Sequence, residues 1–277
     1  MSVATPRSSG AWRLHNDSAW PHGHIVDQTF AFALTQYITR KRPVGHPLTL
    51  LDVGAGVGGY GAFFAGCKGA AAITWTGIDG SDGVESLSEG APSRVSQVNL
   101  CGSSEAIGIH DWVISFEVGE HLPRDCLAAF LHTLDRSNRY GAVLSWGHYG
   151  QPGIGHITPR AARDVAAAMR FLGYWEDHNA SATLQGASSK TWIAHNVQVY
   201  RRSGRSKHDT RGPPDLRFPH SVELQRDAEY RATRSSAAIV AGRKCHPKQL
   251  YHRCVLMNAT VFTMCACMQD ELASCET

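Results

Sequence analysis

Several glycines and an acid stand together where an apolar run of the sequence ends. The run Leu48–Val53 leads directly into Gly54, Gly56 and Gly58, and Asp52 lies two residues before the first of these glycines. A strand that ends in glycines and enters a helix lets backbone N–H groups approach a ligand closely. The segment is therefore a candidate loop for binding a small charged ligand.

The spacing of this loop fits two motifs. Gly54, Gly56 and Gly59 satisfy GxGxxG, the dinucleotide fingerprint, and Asp79 lies 20 residues beyond Gly59, near the expected position of a ribose-binding acid. The same stretch satisfies Asp-x-Gly-x-Gly-x-Gly, which begins at Asp52. An acid at the end of the strand would repel a pyrophosphate, whereas it suits a cationic ligand. This acid favours the second motif.

The second motif resembles the signature of class I S-adenosylmethionine (SAM) methyltransferases. SAM carries an ammonium and a sulfonium, so the resemblance implies that Asp52 helps to hold its methionine end, through water or backbone. Gly54, Gly56 and Gly58 would leave room for that end of the cofactor. Asp79 would accept hydrogen bonds from both ribose hydroxyls, although Asp-Gly is also an ordinary turn sequence.

A second stretch, from Asp111 to Pro123, resembles the segment after strand four in methyltransferases of the ubiquinone and menaquinone pathways. The resemblance implies that Phe116 and Glu117 lie at the cofactor, beside the donor methyl group. It also implies that the end of the third strand, Asn99 and Leu100, contacts the adenine. Many relatives place an Asp there, so Asn99 is expected to hydrogen-bond the base in its place.

Glu117, Glu120 and His121 form ExxEH within this stretch. The pattern is associated with a divalent metal in small-RNA 2′-O-methyltransferases and in quinone-pathway O-methyltransferases. Two carboxylates and an imidazole can hold such a cation, which lowers the pKa of an attacking hydroxyl. The further ligand would be His148 or His156, in the loop after strand five. Without metal, Glu120 and His121 remain catalytic candidates, with His121 as general base; alternatively, both face solvent and Glu117 caps the loop.

Strand and helix patterns alternate around these motifs over residues 25–200, which predicts a doubly wound α/β fold. The expected architecture is a mostly parallel, seven-stranded, Rossmann-like methyltransferase sheet with an antiparallel C-terminal hairpin strand. The predicted strands are Leu48–Val53, Ile73–Ile78, Val95–Leu100, Trp112–Phe116, Ala142–Trp146 and Trp192–Tyr200, with a weaker strand at Tyr174–Trp175. The predicted helices are Ile25–Arg40, one after the glycine loop, one from Pro123, and one that starts at the N-cap Thr158 and stops at Gly173.

Composition divides the chain into three parts. Residues 1–24 predict a loose N-terminal segment, residues 25–202 the methyltransferase domain, and residues 203–277 a basic, poorly structured tail. Hydrophobic residues make up 43% and charged residues 18% of the chain, which argues against wholesale disorder. Five of the eight cysteines lie in the tail, but they form no CxxC pair and match no standard zinc spacing.

The sequence also predicts a location in the cell. No apolar run approaches the length of a membrane span, and the N-terminus has no apolar core of the kind a secretory signal needs. The cysteines are therefore expected to be reduced in an intracellular, cytoplasmic protein. Arg7 and Arg13, with no acid before residue 17, also resemble part of an organelle transit peptide, so that alternative stays open.

The expected activity is transfer of a methyl group from SAM to a small-molecule acceptor by in-line displacement. The net charge of +3 and the lack of a basic stripe before residue 200 give no sign of a nucleic-acid substrate, although such a substrate is not excluded. Base-methylating signatures, Asn/Asp-Pro-Pro-Tyr/Phe and Pro-Cys, are missing after strand four. Two alternatives remain at this point: an NAD(P)-dependent oxidoreductase that uses GxGxxG, and a SAM-fold binding protein without catalytic activity.

Overall fold

The structure is a computed structural model, which describes Ala11 and residues 25–40, 47–67, 73–88, 94–102 and 107–202. Apart from Ala11, these residues lie within the range predicted for the central domain. The expectations of a loose segment before residue 25 and of a basic tail from residue 203 lie outside the described residues, Ala11 aside.

Seven strands form the sheet of this domain. They are β1 Leu48–Val53, β2 Ile73–Asp79, β3 Val95–Gln97, β4 His110–Phe116, β5 Asn138–Ser145, β6 Tyr174–Glu176 and β7 Gln198–Arg202. Their order across the sheet is β3-β2-β1-β4-β5-β7-β6. The strands β1 to β5 pair in parallel, and β7 runs antiparallel to both β5 and β6. The predicted fold class is confirmed, including its antiparallel C-terminal strands.

Seven helices connect or flank these strands in the described part of the chain. They are α1 Gln28–Thr39, α2 Gly59–Gly66, α3 Val84–Leu87, α4 Leu127–Arg136, α5 Ala162–Phe171, α6 His178–Ala187 and α7 Thr191–Asn196. Helix α1 starts later than predicted because the side chain of Asp27 caps it, accepting a hydrogen bond from the Phe30 N–H. Two 3₁₀ turns, Gly119–His121 and Arg124–Cys126, lie between β4 and α4.

Both faces of the sheet are covered by helices. On one face, Leu50 packs in a cluster with Phe30 of α1. On the other face, Leu51 and Val113 pack with Phe130 of α4. Successive residues of a strand point to opposite faces, so burial of both leucines explains why β1 is a continuous apolar run. The central strands therefore form a firmly packed platform for the loops at their ends.

The chain changes direction across the sheet at β1. This strand pairs with β2 on one side and with β4 on the other, and Asp52 lies opposite both Gly77 and Ile114. In open α/β sheets, ligands bind at the carboxyl ends of the strands next to such a switch point. The loops after β1 and β4, which carry the two sequence motifs, are at this place.

The C-terminal part of the domain differs from the prediction. The segment Trp192–Tyr200 was expected to be one strand, but its first half is helix α7, and β7 begins only at Gln198. Apolar and polar residues alternate too briefly here to separate a strand from a short helix. Helix α6, which was not predicted from the sequence, and helix α7 separate β6 from β7.

Three other boundaries need correction. The third strand is shorter than predicted and ends at Gln97. Helix α5 starts at Ala162 and not after Thr158, because the Thr158 hydroxyl instead lies 2.8 Å from the Gly119 carbonyl oxygen and 2.7 Å from that of Leu122. The helix expected from Pro123 begins as a 3₁₀ turn and becomes α-helical at Leu127.

The cysteines of the domain are paired, contrary to the expectation of reduced thiols. Cys101, after β3, forms a disulfide with Cys126, just before α4. Cys67 is disulfide-bonded too. The expectation rested on the compartment inferred from the N-terminal sequence, and that inference carries no information about which cysteines the fold brings together.

Candidate functional site

The loop after β1 is formed by glycines in a left-handed backbone conformation. The φ angles of Gly54, Gly56 and Gly58 are 81°, 55° and 84°. The Gly54 N–H donates to the carbonyl oxygen of Ile78, at the end of β2, over 2.8 Å. A Cβ on Gly54 would lie 2.3 Å from Cγ2 of Val118, so no larger residue fits. The glycine loop and the segment after β4 are thus in direct contact.

Asp79 ends β2 and holds the glycine loop in place. Its Oδ2 accepts a hydrogen bond from the Gly56 N–H and its Oδ1 accepts one from the Ser81 N–H, both over 2.8 Å. The side chain is buried. A carboxylate has about four acceptor sites, so these two bonds leave capacity for two hydroxyls of a ligand.

Asp52 also lies beside this loop, but its carboxyl is less well hydrogen-bonded than that of Asp79. The residue is 2% exposed, and its Oδ2 has no hydrogen-bond partner in the described part of the chain. Burial raises the pKa of this carboxyl to about 8; the side chain of Trp75 lowers it in part, and the nearby charge of Asp79 raises it further. The group is therefore mostly uncharged at neutral pH, and a cation close to it would favour its ionised form.

The remaining expected cofactor residues lie around the same strand ends. Asn99 is exposed, and its Oδ1 accepts a hydrogen bond from the Cys101 N–H over 3.0 Å, while Leu100 is buried. Phe116 packs edge-to-face on Phe30 with ring centroids 5.0 Å apart. Its ring also lies 5.2 Å from that of Tyr60. An aromatic cluster therefore borders the end of β4.

Glu120 lies in the 3₁₀ turn after β4 and is fully buried, which excludes the solvent-facing alternative for this residue. Neither oxygen of its carboxyl has a hydrogen-bond partner in the described ranges. Burial raises the pKa of Glu120 well above its ordinary value and the charge of Glu117 raises it further, while the nearby backbone N–H groups of Glu120 and Gly147 offset this only in part. A buried carboxyl in this state is costly unless something else occupies the site with it.

The loop after β5 folds back over this 3₁₀ turn. The backbone N–H groups of Ile157 and Thr158 both donate to the Glu120 carbonyl oxygen over 2.8 Å. The Nδ1 atom of His121 lies 3.1 Å from the carbonyl oxygen of Gly155. Two histidines from different elements thereby meet, since the rings of His121 and His156 are 4.9 Å apart.

One cluster of metal-ligating groups results among the described residues. The candidate ligand atoms of Glu120, His121 and His156 all lie within 4.8 Å of one another, and His156 Nε2 is 3.9 Å from Glu120 Oε1. Burial lowers the pKa of His156, which favours the neutral imidazole that a metal ligand needs. His148 is not part of this cluster; its Nδ1 lies 2.7 Å from the Tyr149 carbonyl oxygen.

Glu117, the residue after β4, has an unusual backbone conformation. Among the described residues it is the only non-glycine with a positive φ, 54°. Its Oε1 accepts a hydrogen bond from Asn196 Nδ2 over 3.0 Å, and its Oε2 accepts one from Gln151 Nε2 over 2.5 Å. The two amides also bond to each other, with Asn196 Nδ2 2.6 Å from Gln151 Oε1. Glu117 is therefore held by side chains from two other elements.

Three residues of this site were not predicted from the sequence. Gln151 lies between the two candidate histidines of its loop, so its position was the available signal. Tyr60 follows the glycine loop, as an aromatic at the start of the predicted helix. Asn196 could not be found, because the segment that contains it was predicted to be a strand.

Comparison with known proteins supports the fold. No protein-family model and no curated protein matches this chain. An amino pentose methyltransferase from Micromonospora echinaspora, solved with bound SAM, is similar with a TM-score of 0.50 and 14% identity, over 68% of this chain and 96% of that one. A magnesium protoporphyrin IX methyltransferase from Synechocystis has a TM-score of 0.47 and 16% identity, over 64% and 83%. Together with the strand order, the first likeness identifies the class I SAM methyltransferase fold.

Within the described ranges, no helix combines the length and the apolar character that a membrane span needs.

Proposed function

We propose that this protein is a SAM-dependent methyltransferase that acts on a hydroxyl of a small-molecule acceptor. The observation that carries the proposal is the state of Asp52, a buried carboxyl with an unpartnered oxygen beside a glycine loop. Such a group needs a counter-charge or a hydrogen-bond donor. The ammonium of SAM supplies both, whereas the pyrophosphate of a dinucleotide supplies neither.

If the ammonium of SAM lies at Asp52, the positions of the other parts of the cofactor follow. The loop of Gly54, Gly56 and Gly58 would accommodate the methionine end, and Asp79 would accept hydrogen bonds from the ribose hydroxyls with the acceptor capacity that its backbone bonds leave. Asn99 and Leu100 would border the adenine. Phe116 and Glu117 would lie toward the methyl group, where the aromatic cluster of Phe116 and Tyr60 excludes water.

A divalent cation is the finer part of the proposal, and the residues present fit it. Both oxygens of the buried Glu120 carboxyl lack partners among the described residues, and His156 Nε2 lies 3.9 Å from one of them. Two ligand atoms on one ion, each about 2.0–2.2 Å from it, can be at most about 4.4 Å apart. The Glu120–His156 pair meets this limit, and the whole set, within 4.8 Å, would close slightly around the ion. Glu120, His121 and His156 would therefore hold the cation, with Glu117 next to them.

In such a transfer the methyl group passes directly from SAM to the acceptor, so the protein forms no covalent intermediate. A bound cation would lower the pKa of the acceptor hydroxyl and orient it, so that the hydroxyl proton would pass to water. The carbon–oxygen bond forms as the carbon–sulfur bond of SAM breaks, and S-adenosylhomocysteine leaves. The protein gains most by holding the acceptor oxygen about 3 to 3.5 Å from the methyl carbon. If no cation binds, His121 is the base that takes the hydroxyl proton.

Two alternatives make different predictions for ligand binding. A nicotinamide-dependent oxidoreductase would be stabilised by NADH or NADPH, and a binding protein without activity would bind SAM without turnover. Thermal unfolding with SAM, S-adenosylhomocysteine, NADH and NADPH separates them, since a ligand at 100 times its Kd adds about 2.7 kcal/mol of stability. We expect the two adenosyl ligands to raise Tm. A rise with the nicotinamides alone overturns the proposal.

The hydroxyl and cation parts have a separate test. Transfer of a labelled methyl group from SAM to a panel of small hydroxyl compounds is measured before and after exhaustive chelation. We expect chelation to abolish transfer and Mn²⁺ to restore it. Full transfer after chelation ends the cation part and leaves His121 as the proposed base.

A further inference from the structure

We propose that Gln151 and Asn196 are positioning residues: they fix the carboxylate of Glu117 so that it completes the cation site formed by Glu120, His121 and His156. The inference rests on the proposed function, because it concerns the cation of that site. We call Gln151 and Asn196 the amide clamp.

The contacts of the amide clamp determine the orientation of Glu117. Each carboxylate oxygen accepts one amide N–H, from Asn196 over 3.0 Å and from Gln151 over 2.5 Å. The bond between the two amides, 2.6 Å, closes a triangle of three side chains. A carboxylate held at both oxygens cannot rotate freely, but each oxygen keeps a lone pair that it could offer to a cation.

The three residues of the triangle come from three different parts of the domain. Glu117 follows β4, Gln151 lies in the loop after β5, and Asn196 is a buried residue at the end of α7. The three elements surround the carboxyl ends of the central strands. Packing of a surface loop alone does not require hydrogen bonds from α7 and from the loop after β5 to the residue that follows β4.

The backbone of Glu117 supports the same inference. A non-glycine residue at φ 54° is in a sparsely populated conformation that persists only where its surroundings impose it. Its N–H donates to Ser145 Oγ over 2.9 Å and lies 3.1 Å from the Ser145 carbonyl oxygen. Side chain and main chain of Glu117 are thus both held, which is typical of a functional site.

Glu117 is close to the proposed cation ligands along the chain and through its partners. It lies three residues before Glu120, and Gln151 lies in the same loop after β5 as His156. A turned Glu117 carboxylate would therefore disturb the cation site.

The test measures the affinity for Mn²⁺ alone, by electron paramagnetic resonance, with the full chain and no acceptor. Outer-shell partners of metal ligands typically contribute about 10- to 100-fold to affinity. We expect Gln151→Leu to weaken Mn²⁺ binding at least about tenfold. Gln185→Leu is the matched control, because the Gln185 amide donates to the Val197 carbonyl oxygen over 2.8 Å, and the side chains that bond to the Glu117 carboxylate in the described part of the chain are Gln151 and Asn196.

A double-mutant comparison separates positioning from a general structural effect. If Gln151 acts through Glu117, then Gln151→Leu weakens Mn²⁺ binding in the wild type but not further in a Glu117→Gln background. SAM affinity and Tm should stay close to those of the Gln185→Leu control. Asn196→Leu is expected to repeat the result, and if that variant does not fold, Gln151 alone decides.

Each outcome has a distinct meaning. Equal Mn²⁺ affinity of wild type and Gln151→Leu, or an equal loss in the Glu117→Gln background, overturns the amide clamp and leaves the cation proposal intact. A wild type that binds SAM but no Mn²⁺ overturns both the clamp and the cation. A wild type that binds Mn²⁺ but no SAM contradicts the methyltransferase proposal. The effect of Gln151→Leu in the wild type and in the Glu117→Gln background then still decides the amide clamp.

Discussion

The backbone N–H of Gly56 donates to Oδ2 of Asp79 over 2.8 Å, which joins the glycine loop after β1 to the end of β2. The carboxylate that is the candidate ribose ligand is therefore also a structural support of the loop that faces the cofactor. Any substitution of Asp79 affects both roles, so the experiment must measure ligand binding and stability separately.

We expect Asp79→Ala to abolish the rise in Tm that SAM produces and to lower the stability of the ligand-free protein. Each buried backbone N–H left without its acceptor costs about 1–3 kcal/mol. The matched control is Asp82→Ala, at the neighbouring Asp-Gly pair, where the carboxylate accepts an exposed bond from Gln97 Nε2 over 2.9 Å. An undiminished SAM effect in Asp79→Ala would remove this residue from the cofactor site.

Asp52 predicts a pH dependence of SAM binding. Burial raises the pKa of the free carboxyl to about 8, so below that pH the group is mostly protonated, and ionisation in the complex must release a proton. Affinity should therefore rise with pH, approaching about tenfold per unit between about pH 6 and pH 7.5. Above this window the α-amino group of SAM, with a pKa of about 7.7–8.0, loses its own charge.

Isothermal titration calorimetry in buffers of different ionisation enthalpy measures both the affinity and the released proton. Asp52→Asn is the control, because an amide does not titrate, and its affinity should be lower and flat over the same window. A wild-type affinity that is also flat, with no proton release, would show that no cation meets Asp52.

The sheet was predictable from the sequence because its central strands are buried on both faces. The runs around Leu51 and Val113 are mostly apolar; Asp52 lies at the end of the first run and Glu117 follows immediately after the second. Local sequence was enough to place the two motifs at the carboxyl ends of neighbouring strands. It failed at Trp192, in a segment too short for its period to distinguish a strand from helix α7.

The candidate site was predictable only in part, for a physical reason. Asp52, Asp79 and Glu120 belong to local motifs, whereas the choice of His156 over His148 depends on how the loop after β5 returns to the Glu120 carbonyl. The contact of Asn196 with Glu117 spans 79 residues of sequence. Sequence spacing gives no information on this contact, because the segment that contains Asn196 is helix α7 and not the predicted strand.

The disulfide between Cys101 and Cys126 predicts a loss of stability when it is removed. It closes a loop with a sequence separation of 25 residues, for which chain entropy gives about 3.5 kcal/mol. We expect Cys101→Ser combined with Cys126→Ser to lower the free energy of unfolding by about this amount, measured by urea denaturation without reductant. Dithiothreitol alone is a poorer test, because Cys67 is also disulfide-bonded. Wild-type stability in the double variant would contradict the pairing.

Gly147 provides the most local test of the cation site. A Cβ at this position would lie 2.9 Å from Oε1 of Glu120 and 3.0 Å from its Cγ, so Gly147→Ala must push the buried carboxyl aside. We expect this variant to lose Mn²⁺ affinity at least about tenfold, because a ligand displaced by a fraction of an ångström no longer matches the geometry that the cation needs.

Gly150→Ala in the same loop is the control for this substitution. Its φ is 78°, so a Cβ strains the loop, but that Cβ would meet nothing within 4 Å. If loop strain alone mattered, Gly150→Ala would lose as much Mn²⁺ affinity as Gly147→Ala. We expect a loss in Gly147→Ala only, with SAM affinity unchanged in both variants, because an added Cβ would meet Glu120 at Gly147 and nothing within 4 Å at Gly150. Equal Mn²⁺ affinity in all three proteins would mean that Glu120 does not bind the cation.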